Sequence, residues 1–279
     1  MRILRTVSEC RGALAEPRRR GVLALVPTMG ALHAGHVSLI ESARTECDAV
    51  VVSLFVNPAQ FGDPADLTAY PRDEAKDTRT AEGSGADFLF APGVEEMYPP
   101  GHATWVDVEG PALGLEGEFR PGHFRGVATV CLKLFLAVEP HRAYFGQKDA
   151  QQVAVVSQMV HDLHVNLDIR VVPILRDDDG LALSSRNVRL SPDERSRALA
   201  IPRALDAGLA ASRAKADPVA AARAALTGLD VDYVAVATFN GHPTLAIAAR
   251  AGRTRLIDNV RLDDEQALPI FPRDGSHGR

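Results

Sequence analysis

The sequence predicts an α/β protein in which a parallel sheet covered by helices precedes a smaller α+β domain. In the first part of the chain, short and almost continuous apolar runs alternate with helical patterns, which is typical of a parallel sheet buried on both faces. Beyond residue 175 the pattern changes to an alanine- and arginine-rich helical stretch followed by alternating segments. We therefore place a first domain at residues 1–174 and a second, smaller domain at residues 175–279.

Each predicted element follows from its own residues. Apolar runs rich in valine indicate buried strands, whereas apolar residues spaced three or four apart indicate helices. The predicted strands of the first domain are residues 22–27, 49–56, 87–90, 143–145 and 167–172, and its predicted helices are residues 36–46, 72–82, 123–138 and 149–163. For the second domain we predict a helical stretch at 191–225, a strand at 231–238, two further strands within 244–260, and a polar tail at 272–279 that frays.

Composition and charge restrict the class of protein. The 279-residue chain has 46% hydrophobic residues, which is enough for a core, and a formal net charge of -5. Nucleic-acid binding draws on a clear positive excess, so nucleic acid is not an expected partner. The three cysteines are far apart, which argues against a disulfide framework and suits a reducing compartment. Because no apolar run approaches the ~20 residues that span a bilayer, we expect a cytoplasmic protein without a membrane partner.

Residues 27–36 carry the strongest chemical pattern, because they follow a predicted strand and open a predicted helix. Gly30 and Gly35 allow the backbone to approach a ligand closely, and the helix start supplies N–H groups for an anion. His33 and His36 lie three apart, so both rings can lie on one side of the first turn and donate hydrogen bonds to a polyphosphate. The alternatives are two ordinary polar histidines, or a metal site that would need further ligands.

Two further segments carry cations, one after a predicted strand and one beside the predicted domain boundary. In residues 145–152, Lys148 suits a phosphate, Asp149 suits a helix cap or a ribose hydroxyl, and Gln152 suits a polar substrate. Further on, Arg186 follows two serines and presents a rigid fork to oxyanions. Taken alone, the first segment also fits a capped helix with solvated charges, and the second fits a polar turn.

Neutral amides follow the second predicted strand, where Asn57 and Gln60 lie within residues 55–62. Amides recognise hydroxyl and carboxylate groups through hydrogen bonds. A polar turn is the alternative interpretation of this segment. A phosphate-bearing substrate would favour more cations, so the amides favour a small carboxylic acid.

Residues 33–36 read His-Ala-Gly-His, and they resemble the His-x-Gly-His motif of the nucleotidyl-transfer superfamily that includes class I aminoacyl-tRNA synthetases. Over essentially its whole length the chain is similar to the pantothenate synthetase family. This resemblance rests on five segments in the family's order and spacing, which are residues 27–36, 56–62, 120–124, 146–152 and 183–187. Two small departures are Gln147, where glutamate is expected, and Ala34, which fills a position that is often polar.

The resemblance implies an ATP-dependent ligase of pantothenate and coenzyme A biosynthesis. Pantoate would attack the α-phosphorus of ATP, giving pantoyl adenylate and pyrophosphate. The amine of β-alanine would then attack the acyl carbon, giving pantothenate and AMP. The resemblance also implies Mg²⁺, a homodimer, a Rossmann-like ATP- and pantoate-binding domain at residues 1–174 and a lid domain at residues 175–279, but it identifies no metal ligand.

Site residues carry over from the resemblance position by position. Catalytic roles are implied for His33, His36, Lys148 and Arg186, with His36 as the proton donor. ATP contacts are implied for Met29, Gly30, Ala31, Leu32, His33, Ala34, Gly35, His36, Gly146, Gln147, Lys148, Asp149, Leu175, Leu183, Ser184, Ser185 and Arg186. Contacts with pantoate are implied for Gln60, which would also lie near β-alanine, and for Gln152, with Asn57, Tyr70, Glu116 and Arg120 as wall residues.

Two other functions fit parts of the pattern. One is a nucleotidyltransferase that leaves AMP or CMP on a phosphate-bearing substrate, and the amide residues argue against it. The other is a non-catalytic nucleotide sensor. The presence of both histidines together with Lys148 and Arg186 argues against a sensor.

Overall fold

The computed structural model describes residues 1–264 and residue 270. The chain divides into two compact units. Unit 1 contains Met1–Gly146 and Gln151–Pro173, and unit 2 contains Gln147–Ala150 and the chain from Ile174 onward. The polar tail predicted at 272–279 lies outside the described residues.

This division differs from a single boundary near residue 175, because the short segment Gln147–Ala150 belongs to unit 2. Asn259 of unit 2 donates hydrogen bonds from its side chain to the backbone carbonyls of Gln147 and Lys148. Composition along the chain predicts a single boundary, so it does not detect four residues that lie within the sequence of unit 1 but belong to unit 2.

Unit 1 has six strands and eight α-helices among the described residues. The strands are β1 (Arg2–Leu4), β2 (Leu23–Thr28), β3 (Ala49–Leu54), β4 (Phe88–Phe90), β5 (Arg142–Gly146) and β6 (Asp168–Val172). The helices are α1 (Val7–Arg20), α2 (Ala34–Glu46), α3 (Pro64–Thr68), α4 (Glu74–Gly83), α5 (Val94–Met97), α6 (Glu116–Phe119), α7 (His123–Val138) and α8 (Ala150–Asp162). All strand pairs are parallel, in the order β1-β4-β3-β2-β5-β6, which confirms the predicted sheet.

Helices cover both faces of this sheet, as its continuous apolar strands require. Alternate residues of β2 point to opposite faces, so Leu23 and Leu25 pack in one core and Ala24 and Val26 in the other. The first core is shared with α1, α7 and α8, and the second with α2 and α4.

The first two elements, β1 and α1, have no counterpart among the predicted elements. Strand β1 has only three residues, and α1 contains Pro17 and ends in three arginines, so charge obscures its short apolar stripe. The helix begins at a reciprocal cap in which the Thr6 side chain accepts from the N–H of Glu9 and the Glu9 side chain accepts from the N–H of Thr6.

The strand order places β2 at the centre of the sheet. It pairs with β3 on one side and with β5 on the other. The chain continues from β2 to β3 and β4 in one direction, and it then returns to the opposite side of β2 for β5 and β6. Ligands of open parallel sheets bind beyond the carboxyl ends of the strands at such a reversal, and here the loop after β2 lies there.

Unit 2 contains three α-helices and three strands among the described residues. They are α9 (Pro192–Ala198), α10 (Ala200–Arg213), α11 (Pro218–Ala225), β7 (Asp230–Phe239), β8 (His242–Ala251) and β9 (Thr254–Arg261). The strands form an antiparallel sheet in the order β7-β8-β9. The helical stretch predicted at 191–225 is broken, because Asp217 caps a new helix whose first residue is Pro218.

Within residues 1–264 and 270, no helix is both long enough and apolar enough to cross a membrane.

Candidate active site

The loop at residues 29–33 carries the chain from the carboxyl end of β2 to the first turn of α2. Its turn depends on Gly30, whose φ of 86° lies in the left-handed region that glycine adopts at little cost. A Cβ at Gly30 would lie 2.7 Å from Cδ1 of Leu54 and 2.8 Å from Oδ2 of Asp77. Ala31 follows with a φ of 51°, a conformation that is unfavourable for an L residue unless its surroundings hold it.

A buried carboxylate holds this loop in place. Asp77, on α4 and only 2% exposed, accepts hydrogen bonds from the N–H groups of Ala31 at 2.9 Å and Leu32 at 2.8 Å. Hydrogen bonds to a carboxylate are charge-assisted and stronger than those between neutral groups. No sequence pattern pointed to Asp77, because a single aspartate in a polar helix carries no motif.

The two histidines lie side by side at the start of α2, with ring centroids 4.2 Å apart. His33 is the N-cap, and its Nδ1 accepts from the N–H of Gly35 at 3.1 Å. The Nδ1 of His36 accepts from the N–H of His33 at 3.3 Å. A neutral imidazole that accepts through Nδ1 carries its proton on Nε2, so each ring has an Nε2–H group as donor. The backbone of the first turn therefore selects the same tautomer in both rings.

Tyr70 connects the histidine loop to the segment after β3. Its hydroxyl donates to the carbonyl of Gly30 at 3.4 Å, and its ring meets Phe61 edge-on at 5.8 Å. Since Phe61 directly follows Gln60, the predicted wall residue Tyr70 lies between two of the predicted ligand-binding segments.

Asn57 fixes the orientation of Gln60. Both side chains are buried, and the Nδ2 of Asn57 donates to Oε1 of Gln60 at 3.0 Å. The Oδ1 of Asn57 accepts from the hydroxyl of Tyr98 at 2.8 Å. Burial raises the pKa of Tyr98 to about 12, so this hydroxyl remains protonated and able to donate at neutral pH. With its oxygen facing Asn57, Gln60 directs its NH₂ group away from Asn57, which suits an acceptor such as a carboxylate or hydroxyl oxygen.

The turn that carries Gln60 packs against α7 at Gly126. A Cβ on Gly126 would lie 2.4 Å from the carbonyl oxygen of Ala59 and 2.7 Å from the backbone nitrogen of Gln60. The carbonyl of Gly126 also accepts a hydrogen bond from Nδ2 of Asn57 at 3.1 Å. A glycine at this position lets the helix approach close enough to define where Gln60 lies.

His123 links the predicted residue Arg120 to the same turn. Arg120 donates from Nη1 to the Nε2 of His123 at 3.0 Å, because a guanidinium has no acceptor. The other ring nitrogen, Nδ1, therefore carries the proton and donates to the carbonyl of Gln60 at 3.0 Å. Glu116 lies 3.7 Å from Arg120. The sequence singled out residues 120–124 but gave His123 no role of its own.

Gln152 lies half-buried in the first turn of α8, within unit 1. Its neighbour Gln151 is buried and holds the segment before α6, since its Oε1 accepts from the N–H of Glu116 and its Nε2 donates to carbonyls such as that of Gly114. The two adjacent glutamines therefore differ in their contacts, because the side-chain amide of Gln151 is hydrogen-bonded to backbone groups of unit 1.

The lysine segment follows β5, whose last residue is Gly146. Gln147–Asp149 forms a 3-10 turn directly before α8. The Nζ of Lys148 lies 3.8 Å from Oδ1 of Asp149. Asp149 immediately precedes the helix, which is the position that the sequence predicted for a capping residue.

The arginine segment of unit 2 begins at a short hairpin. The N–H of Leu183 donates to the carbonyl of Leu175 at 3.0 Å, so these two predicted ATP contacts are paired. Beyond them, the hydroxyl oxygen of Ser184 accepts from the N–H of Arg186 at 3.2 Å. Ser185 lies between Ser184 and Arg186, in the turn that follows the hairpin.

Throughout the part of the chain that the structure describes, no group of three or more histidine, cysteine, aspartate or glutamate side chains is arranged to hold a metal ion. The predicted site residues are divided between the two units. Unit 1 carries the histidine loop, Tyr70, the amide pair, Arg120 and Gln152, and unit 2 carries Gln147, Lys148, Asp149, Leu175 and residues 183–186.

Comparison with known proteins identifies close relatives. A family model described as pantoate-beta-alanine ligase matches residues 2–261. The chain is 50% identical to a pantothenate synthetase from Rhizorhabdus wittichii, over 94% of this chain and 99% of the relative. It is 46% identical to a pantothenate synthetase from Acetivibrio thermocellus, over 93% of this chain and 99% of the relative.

Solved structures give the same result. The crystal structure of a pantothenate synthetase from Thermus thermophilus matches with a TM-score of 0.87 at 45% identity, covering 98% of this chain and 100% of that one. The pantoate-beta-alanine ligase from Francisella tularensis, complexed with beta-gamma ATP and beta-alanine, matches with a TM-score of 0.80 at 34% identity. That match covers 94% of this chain and 98% of the Francisella chain.

Replacing Asp77 by asparagine should weaken ATP binding by about tenfold to a hundredfold, because a charge-assisted hydrogen bond contributes roughly 1.5–3 kcal/mol. An amide has only one oxygen, so the N–H of either Ala31 or Leu32 would face an NH₂ group instead of an acceptor. Isothermal titration calorimetry with ATP measures the change.

The matched control is Asp48→Asn. The Asp48 carboxylate also accepts from a backbone N–H, that of Val22 at 2.7 Å, but at the amino end of β2. We expect this control to bind ATP as the unmodified protein does. Unchanged ATP affinity in folded Asp77→Asn protein would contradict a role for Asp77 in holding the loop.

Proposed function

Since the chain belongs to the pantoate-beta-alanine ligase family, an ATP-dependent ligase, we propose which of its residues perform each part of the reaction. The reaction condenses pantoate with β-alanine and gives pantothenate, AMP and pyrophosphate. In the first step, a carboxylate oxygen of pantoate attacks the α-phosphorus of ATP, and pyrophosphate leaves with the electrons of the broken bond. In the second step, the β-alanine nitrogen attacks the acyl carbon, loses a proton, and AMP leaves.

The histidine pair carries this proposal. Both rings accept backbone N–H groups through Nδ1, so both donors are Nε2–H groups, fixed beside each other at a helix start. Such donors stabilise negative charge that develops on phosphate oxygens, and the helix N-terminus adds about half a positive charge. We assign His33 and His36 to the phosphates of ATP, with His36 donating a proton or hydrogen bond to the leaving pyrophosphate.

Substrate positioning is assigned to the amides. Because Asn57 occupies the oxygen of Gln60, the NH₂ group of Gln60 is the part that would bind an oxygen of pantoate. We assign Gln152 to the same acid, and Tyr70 and Arg120 to the walls around the acid and the amine. Holding the acid in line with the α-phosphorus contributes on the order of 7–11 kcal/mol towards such a barrier.

Charge neutralisation is assigned to unit 2. Pantoate and ATP are both anions, so the attack must overcome their repulsion. We assign Lys148 and Arg186 to the phosphate charge. The remaining ATP contacts are proposed for Gln147, Asp149, Leu175, Leu183, Ser184 and Ser185 in unit 2, and for Met29, Gly30, Ala31, Leu32, Ala34, Gly35 and Gly146 in unit 1.

We propose that Mg²⁺ arrives bound to ATP. The described residues offer no cluster of three acidic or histidine side chains, and Mg²⁺ keeps several waters and binds readily through phosphates. The ion would neutralise phosphate charge.

We propose a cytoplasmic homodimer, which the family resemblance supports. Light scattering coupled to size-exclusion chromatography should then give a mass of about twice the 29.9 kDa of one chain. A mass near that of one chain across the micromolar range would contradict the dimer.

The first catalytic step should appear as ATP–pyrophosphate exchange in the absence of β-alanine. We expect exchange to require pantoate. Without β-alanine, label passes from pyrophosphate into ATP only when the acyl adenylate forms and then reacts back with the labelled pyrophosphate. Adding β-alanine should then release pantothenate and AMP. Exchange without pantoate, or no exchange from folded protein that binds ATP, would contradict the proposed reaction.

Replacing His36 by alanine should slow this exchange by roughly 10²–10³-fold, the usual effect of removing one such donor. The control is His161→Ala, since the His161 side chain is 84% exposed on α8 and should tolerate the change. Circular dichroism should show both variants folded. Near-normal exchange in His36→Ala would remove His36 from its assigned role.

A further inference from the structure

Strand β9 carries two adjacent buried polar residues that the reaction above does not use. Asp258 is 3% exposed and Asn259 is 4% exposed, and both lie on the edge strand of the three-stranded sheet of unit 2. Neither belongs to a motif in the sequence. Buried polar groups are retained at a cost unless their hydrogen bonds are made, so the partners of these two residues indicate what they do.

Asn259 is bonded to the segment that contains Lys148. Its Nδ2 donates to the carbonyl of Gln147 at 3.0 Å and to the carbonyl of Lys148 at 2.9 Å. Its Oδ1 accepts from Nε2 of Gln147 at 3.2 Å. The three bonds agree on one orientation of the amide, because the reverse would place its oxygen against two carbonyl oxygens.

These bonds fix the backbone from which Lys148 extends. Two hydrogen bonds from one NH₂ group to successive carbonyls restrict rotation of the peptide between them. The turn Gln147–Asp149 is a three-residue 3-10 turn, a conformation whose own hydrogen bonds have poor geometry. The Lys148 side chain is 17% exposed, so the direction in which it leaves the turn decides where its charge lies.

Asp258 makes a parallel connection to the arginine segment. It accepts two hydrogen bonds from Arg176, at 2.6 Å and 3.0 Å, and Arg176 also donates to the carbonyl of Gly180 at 3.1 Å. Arg176 and Gly180 belong to the hairpin closed by Leu175 and Leu183, which leads directly into residues 183–186. The backbone N–H of Asn259 donates to Oδ1 of Asp258 at 2.8 Å, which joins the two connections.

We propose that Asn259 is a positioning residue for the adenylation step, acting by holding the Gln147–Lys148 backbone so that the Lys148 ammonium meets the phosphates. The proposal rests on the function assigned above to Lys148. A displacement of about 1 Å in a group that must meet a transition state is enough to slow catalysis by roughly 10²-fold. The competing interpretation is that Asn259 only satisfies two backbone carbonyls and stabilises the fold.

A double-mutant cycle in the ATP–pyrophosphate exchange assay separates these interpretations. The variants are Asn259→Ala, Lys148→Ala and the two combined. We expect Asn259→Ala to lower kcat by about tenfold to a hundredfold with little change in the KM for pantoate. In the Lys148→Ala background the same substitution should change the rate by less than about twofold, because there is no ammonium left to misplace.

Thr244→Val is the matched control. Thr244 is fully buried on β8, and its hydroxyl donates to the carbonyl of His242 at 3.1 Å. This substitution also removes a buried bond from a side chain to a backbone carbonyl in unit 2, and valine keeps the shape. We expect a lowered melting temperature and an unchanged exchange rate.

The outcomes distinguish the proposals. An equal loss of rate from Asn259→Ala in both backgrounds, or no loss in either, would overturn the positioning role while leaving Lys148 in its function. Unchanged exchange in Lys148→Ala would overturn the assigned function of Lys148, and the positioning role with it. If Asn259→Ala does not fold, Asn259→Leu provides the same cycle, since it keeps the approximate side-chain shape, removes the donor and acceptor groups, and adds no charge.

Discussion

Backbone groups beyond the ends of the strands have no partner in the sheet, and this protein pairs those at its candidate site with buried side chains. Asp77 receives two N–H groups of the histidine loop, and Asn259 binds two carbonyls of the lysine turn. His123 binds the carbonyl of Gln60. Each bond satisfies a polar backbone group and also sets the direction of a side chain proposed to meet a substrate.

The same arrangement determines the chemistry of the rings and amides. The first turn of α2 occupies Nδ1 of both His33 and His36, so their donors are Nε2–H groups without any need for a charged imidazole. Asn57 donates a hydrogen bond to the side-chain oxygen of Gln60, and Arg120 donates one to Nε2 of His123. Side chains that are ambiguous in isolation each acquire one hydrogen-bonding role from the groups around them.

Local patterns in the sequence predicted much of this structure. Helix α7 has the predicted bounds, and β2, β3 and the three strands of unit 2 lie within two or three residues of their predictions, because their apolar periodicity is strong. The motifs at residues 27–36 and 145–152 were visible because each is contiguous. Asp77, His123 and Asn259 were not predicted, since each acts through one to three bonds to a distant segment and leaves no periodicity. The breaks inside residues 191–225 were missed because alanine, a strong helix former, surrounds the capping residues.

The segment Gln147–Ala150 affects how the two units can be recombined between homologous genes. Because these four residues interrupt unit 1 yet belong to unit 2, no single cut in the gene separates the two units cleanly. A recombination between two homologues near residue 174 would combine the Gln147 and Lys148 of one parent with the Asn259 of the other. Such a chimera keeps the two bonds to the backbone carbonyls only where the second parent carries an amide at position 259, and it keeps the bond between the two side chains only where the first parent also carries a donor at position 147.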